Sequence, residues 1–202
     1  RRGAAAWRGD ASRSGSCTRC HVAISTGVTV SVKTEQPIRV LFVCLGNICR
    51  SPTAEAVFRQ QVQQAGWQAM IEADSAGTAA WHEGKAPDAR SQQHARVRGY
   101  DLSALRARQV KMADFVNFDH IIAMDAANYA ELEHLRLAAG DAAKARLSLL
   151  LDHHPELRGG DVPDPYYGGA DGFEQVLDQV ETACTQLLRS LLKTQGVFGC
   201  GC

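Results

Sequence analysis

The chain has 202 residues, of which 22 are Lys or Arg and 22 are Asp or Glu, so the formal net charge at pH 7 is zero. That balance argues against a broad nucleic-acid or anionic-membrane surface; no apolar run approaches the roughly 18 residues of a membrane span, and the start lacks the apolar core of a secretory signal. The length suits one medium domain, and the expected location is the cytoplasm, where cysteines persist as thiols.

Residues 1–36, rich in Arg, Ser, Gly, Ala and Thr, are expected to be a disordered extension. A domain is expected over 37–195 and a flexible Gly/Cys tail over 196–202. Cys17-Thr18-Arg19-Cys20-His21 has the spacing of haem attachment or half a zinc site. Haem attachment needs export, and no second Cys/His pair completes a zinc site, so neither is expected.

Ile38–Val43 is an apolar, β-rich run that reads as a strand buried on both faces, stopping at Cys44. A loop holding Gly46 and Asn47 follows, and Ser51-Pro52 is expected to cap and open a helix reaching Ala65. Cys44 therefore faces a helix N-terminus, whose unpaired N–H groups and dipole, with the fixed charge of Arg50, favour its thiolate. The amides of Leu45, Gly46, Asn47, Ile48, Cys49 and Arg50 are expected to form an anion-binding nest, and the Arg50 guanidinium to hold two oxygens as a fork. A nucleophile and an oxyanion cradle share one loop. The run CLGNICRSPTAEA resembles the phosphate loop of the low-molecular-weight protein tyrosine phosphatases.

Strands and helices alternate onward. Strands are expected at Met70–Ala73, His120–Met124 and Leu147–Leu151; helices at Asp88–Arg98, Ala126–Leu137 and Phe173–Lys193, with a helical turn at Met112–Asn117. The expected fold is α/β: a single domain with a four-stranded parallel sheet, helices on both faces, and ligands bound beyond the carboxyl ends of the strands.

The loop after the fourth strand carries Asp161-Val162-Pro163-Asp164-Pro165-Tyr166-Tyr167-Gly168-Gly169, by itself an ordinary turn composition. Beside the Cys44 loop it matches the acid loop of the same family. A phenolate is a poor leaving group at neutral pH, so cleavage of an aryl phosphate benefits from a carboxylic acid, and Asp164 is placed for that role. By the resemblance, Tyr166 and Tyr167 form an aromatic wall beside the substrate ring, Trp81 the opposing wall, Ser75 a hydrogen-bond partner of Asn47, and Ser51 a stabiliser of the Cys44 thiolate. Relatives often carry His at the place of Leu105, where it braces the loop, so bracing must come from elsewhere. Asp125 reads as a structural helix cap.

The resemblance implies a phosphotyrosine phosphatase working through a cysteinyl-phosphate intermediate. No metal or other cofactor is expected, and His153-His154 reads as a surface pair. Cys49 lies in the same tight loop as Cys44 and is expected to trap oxidation as a reversible disulfide, as the family does. The implied partner is a phosphotyrosine protein, a bacterial tyrosine kinase among the candidates. Arsenate reductases of this fold need a relay cysteine that Ile121–Leu132 lacks, and phosphoarginine phosphatases carry a small Thr where Ile48 stands. A non-catalytic phosphotyrosine or redox module would have no use for the proton donor Asp164.

Overall fold

The computed structural model describes residues 36–194. Most of the expected extension, with the Cys17–His21 cluster, and the tail lie outside the described residues. Strands β1 (Ile38–Cys44), β2 (Ile71–Gly77), β3 (His120–Ala123) and β4 (Arg146–Leu149) form one parallel sheet in the order β2-β1-β3-β4. Helices α1 (Arg50–Gln64), α2 (Ala89–Val97), α3 (Asp114–Asn117), α4 (Ala126–Ala139) and α5 (Ala170–Thr194) complete the domain. Among the described residues no helix is long and apolar enough to cross a membrane.

Both faces of the sheet are covered, as the unbroken apolar run of β1 requires. Val40, Phe42 and Cys44 join a core with α1 and α5; Leu41 and Val43 join another with Phe115 and Leu132 from α3 and α4. Phe58 of α1 meets Phe42 edge-on, ring centroids 5.5 Å apart, which fixes α1 directly behind the loop that precedes it. Cys184 lies in the core as expected, on the long helix α5.

Several boundaries differ from expectation, each for a physical reason. β2 runs on through Asp74, Ser75 and Ala76 to Gly77, pairing with β1 as far as Cys44. Its polar end had ended the apolar pattern, yet the backbone ladder does not depend on side-chain polarity. β4 stops at Leu149 because Leu150–His153 tightens into a 3-10 turn, with the Leu149 N–H donating to the Asp152 carboxylate at 3.1 Å. The His153-His154 pair is not the exposed pair expected: His153 is partly buried, and His154 is buried, its Nδ1 accepting the backbone N–H groups of Glu156 and Leu157 at 3.2 Å each.

Candidate active site

The loop between β1 and α1 wraps its backbone around the Cys44 thiol. The Asn47 N–H donates to Cys44 Sγ at 3.3 Å, and the Ser51 hydroxyl lies 3.1 Å from the same sulfur. Asn47 has φ 54°, in the left-handed region that side chains other than Asn and Asp seldom enter. That conformation is fixed from three sides. Asn47 Nδ2 donates to Ser51 Oγ and to Ser75 Oγ, each at 2.9 Å, while its Oδ1 accepts the Arg108 N–H at 2.9 Å. The Ser75 hydroxyl donates a hydrogen bond to Glu55 at 2.6 Å, and Glu55 pairs with Arg59 at 2.7 Å. These contacts supply the bracing that Leu105, a partly buried apolar residue, does not.

Ser51 was expected to cap α1, but the helix begins at Arg50 with Cys49 in the cap position and no side-chain cap. The Ser51 hydroxyl turns back toward Cys44, Asn47 and the Ala76 carbonyl instead. No side chain covers the first amides of α1, and they stay available to an anion. Gly77 is required beside this loop: a Cβ there would stand 2.7 Å from the Leu45 carbonyl oxygen.

Arg50 is 3 % exposed and gripped on its outer side. Its Nη1 donates to Asp125 Oδ2 at 2.5 Å and to the Val162 carbonyl at 3.1 Å, and its Nη2 to Asp164 Oδ2 at 3.1 Å. Burial acts to lower the pKa of Arg50, but Cys44, Asp164 and Asp125 together hold it above the usual guanidinium value, so the charge is permanent. Asp125 is thus more than a cap: Oδ1 accepts the Asn128 N–H at 2.6 Å while Oδ2 aims the guanidinium.

The acid loop is anchored beyond β3 as well as carried by β4. The Val162 N–H donates to the Met124 carbonyl at 2.8 Å, and Asp161 accepts the Ala126 N–H at 2.9 Å. Asp164 caps the short 3-10 helix Pro165–Tyr167 through the Tyr166 N–H, at 3.1 Å. The result is a pocket of about 140 Å³ lined by Cys44, Leu45, Gly46, Ile48, Cys49, Arg50, Trp81, His82, Asp164 and Tyr166. Trp81 is 70 % exposed, so the wall it offers is available to a ligand. The Tyr167 side chain lies outside the described residues. Asn47, Ser51 and Ser75 stand behind the loop rather than in the pocket. Cys49 is buried at its edge, and burial pushes its thiol up to about 12.

Sequence reasoning had not singled out Glu55, Asp161, His82 or the Arg50-aiming role of Asp125. Glu55 read as an ordinary helix residue, which only the tertiary fold brings to Ser75, and Asp161 as an ordinary turn residue, whose partner, the Ala126 N–H, only the fold supplies.

A parallel α/β fold whose first strand ends on a thiol that accepts a loop amide, at a helix N-terminus and in one pocket with a buried guanidinium, defines a thiol-centred oxyanion-binding class of protein. Within that class the chain belongs to the low molecular weight phosphotyrosine protein phosphatases, whose family model matches residues 39–196. A Streptomyces coelicolor low molecular weight protein-tyrosine-phosphatase is 50% identical over 155 residues, 76% of this chain and 93% of that protein. Among solved structures, a protein tyrosine phosphatase from Entamoeba histolytica with Hepes in the active site superposes with a TM-score of 0.73 at 40% identity, covering 78% of this chain and 99% of its own. A Drosophila arginine phosphatase superposes with a TM-score of 0.72 at 34% identity, covering 76% and 98%.

Proposed function

We propose that the protein hydrolyses phosphotyrosine, and small aryl phosphates, in two steps carried by Cys44, Arg50 and Asp164. The observation that carries the reading is the convergence of these three side chains on one pocket from two segments far apart in sequence, the loop from Cys44 to Arg50 and the loop of Asp164. The Cys44 thiolate attacks phosphorus as the phosphorus–phenol oxygen bond breaks, and the Asp164 carboxylic acid gives its proton to the departing oxygen. Arg50 and the amides from Leu45 to Arg50 hold the equatorial oxygens, placing positive charge where negative charge develops. Water then attacks the phosphocysteine, giving a proton to the Asp164 carboxylate; the S–P bond breaks, and inorganic phosphate leaves with the thiolate restored. Ser51 donates to the sulfur, and Asn47 with Ser75 keeps the loop strained and closed. Trp81 and Tyr166 admit a planar ring.

Phosphotyrosine is preferred over phosphoarginine because Ile48 and the aromatic residues line the mouth with apolar surface suited to an aryl group. The substrate is a phosphotyrosine protein, with a bacterial tyrosine kinase the partner class to examine, and the protein works in the cytoplasm. Hydrogen peroxide oxidises the Cys44 thiolate to the sulfenic acid and is itself reduced to water; attack of the Cys49 sulfur on the sulfenic sulfur then releases a second water and gives a disulfide that thiols reverse.

The experiment compares p-nitrophenyl phosphate, a phosphotyrosine peptide and a phosphoarginine peptide under excess chelator, in wild type and in Cys44→Ser. Turnover of the first two, insensitive to chelator and absent from the folded variant, is the expected result. Turnover in Cys44→Ser would refute the mechanism. Faster hydrolysis of phosphoarginine would move the assignment to the arginine-phosphatase branch.

A further inference from the structure

Arg90 connects the phosphate loop to the acid loop, reaching in the latter a residue 76 positions further along the chain. It lies in the first turn of α2, where Asp88, the helix cap, accepts its backbone N–H at 2.8 Å. The Arg90 fork also turns onto that carboxylate, Nε at 3.1 Å and Nη2 at 3.0 Å. Asp88 in turn donates its own N–H to the Ile48 carbonyl of the phosphate loop at 2.8 Å. On its other side Arg90 Nη1 donates to the Tyr166 carbonyl of the acid loop at 3.2 Å. The guanidinium lies 5.4 Å from the Tyr166 ring centroid and 4.9 Å from that of Phe173, in the first turns of α5. His94, one turn along α2, stacks on Phe173 with ring planes 8° apart and pairs with Glu174 at 2.5 Å.

We infer that Arg90 is a positioning residue for acid catalysis, a strut that ties the acid loop to the phosphate loop and so sets where the Asp164 carboxyl stands relative to the leaving oxygen. The inference rests on the proposed role of Asp164. The physical reason for arginine is the spread of its contacts. A planar fork meets the Asp88 carboxylate with two nitrogens, keeps a third for a carbonyl on the acid loop, and still offers a face to two aromatic rings, which an ammonium cannot do. Asp164 is one residue from the start of the short 3-10 helix whose second residue Arg90 holds. Nothing in this arrangement places Arg90 on the phosphate itself, since its charge is directed at Asp88 and the wall.

The closing experiment measures kcat/KM across aryl phosphates whose phenols range from strongly acidic to weakly acidic, for wild type, Arg90→Ala, Asp164→Ala and the double variant. Arg90→Ala is expected to keep p-nitrophenyl phosphate turnover within about twofold while losing about tenfold on phenyl phosphate. The same signature, larger, is expected of Asp164→Ala, and the double variant should match Asp164→Ala alone. Arg90→Lys should fall between Arg90→Ala and wild type. Equal losses on all substrates in Arg90→Ala, an unchanged leaving-group dependence beside a steepened one in Asp164→Ala, or a further loss in the double variant would each overturn the inference. An unchanged dependence in Asp164→Ala would instead remove the acid assignment on which it rests. Arg90 is half exposed, and thermal unfolding of Arg90→Ala is expected to match wild type within a few degrees.

Discussion

Replacing Asp125 tests how far the buried guanidinium depends on a standing counter-charge. In wild type Arg50 has 4% of its side chain exposed and meets Asp125 at 2.5 Å, with Asp164 at 3.1 Å as a second, more exposed carboxylate. Breaking a buried pair costs about 3–5 kcal/mol when the remaining charge is stranded. Here Asp164 and the Val162 carbonyl remain, so the loss falls below that range, about 2–3 kcal/mol. Asp125 also caps α4 through the Asn128 N–H, a contact worth about 1 kcal/mol. Asp125→Ala should therefore lose about 3–4 kcal/mol, and Asp125→Asn, which keeps an oxygen for the cap, about 2–3. At about 2–4 °C per kcal/mol for a chain of this size, the alanine variant should melt about 10 °C lower. Urea unfolding in phosphate-free buffer measures both. Stability of Asp125→Asn within about 0.5 kcal/mol of wild type would refute the reasoning, because Arg50 would then have no need of this partner.

Two further outcomes follow from buried titratable groups. The Cys49 thiol, pushed up to about 12 by burial, is protonated at neutral pH. After peroxide treatment, closure of the Cys44–Cys49 disulfide should accelerate about tenfold per pH unit between pH 7 and 9. Quenched mass spectrometry follows it, and a pH-independent rate would contradict a buried attacking thiol. Burial also raises the pKa of Glu55, against the hydrogen bond from Ser75 and the charge of Arg59. A carboxyl raised on folding contributes stability fully present below its unfolded pKa and lost as pH rises through its folded value. The stability of Glu55→Gln relative to wild type should thus increase from pH 4 to pH 7; a difference independent of pH would mean that Glu55 folds without a shift.

The chemistry of the site was more legible in the sequence than its supports. Cys44 and Arg50 sit on one contiguous segment whose strand, loop and helix signals are local, and local signals survive without knowledge of the fold. Asp164 was legible through the family resemblance: its segment alone has an ordinary turn composition, and only beside the Cys44 loop does it match the acid loop of the family. The bracing of Asn47 was not legible in full. Glu55 lies one turn into a helix that could have faced anywhere, and Arg108 contributes a backbone N–H that no side-chain pattern announces. The polar end of β2 misled for a related reason: Asp74 and Ser75 interrupt an apolar run because they serve the loops, while the ladder beneath them continues to Gly77. The helix start moved for the converse reason: Ser51 has the composition of a cap, but its hydroxyl turns back to the Cys44 sulfur, Asn47 and the Ala76 carbonyl.

The ligand-free charge balance bears on the order of events. One guanidinium faces two carboxylates, Asp125 and Asp164, beside the Cys44 sulfur. A phosphate dianion entering the pocket adds two more negative charges, and the loop amides and the start of α1 offer partial charges only. Asp125 is held by a helix N–H as well as by Arg50, so it stays in place. Asp164 is the carboxylate that can yield, because its Arg50 contact uses one oxygen and its side chain is 35% exposed. Dianion binding at Arg50 therefore competes with the Asp164 contact and favours its release from the guanidinium. On the proposed mechanism, substrate binding and acid catalysis are coupled through Arg50, because the group that takes hold of the phosphate is the one that must let go of Asp164.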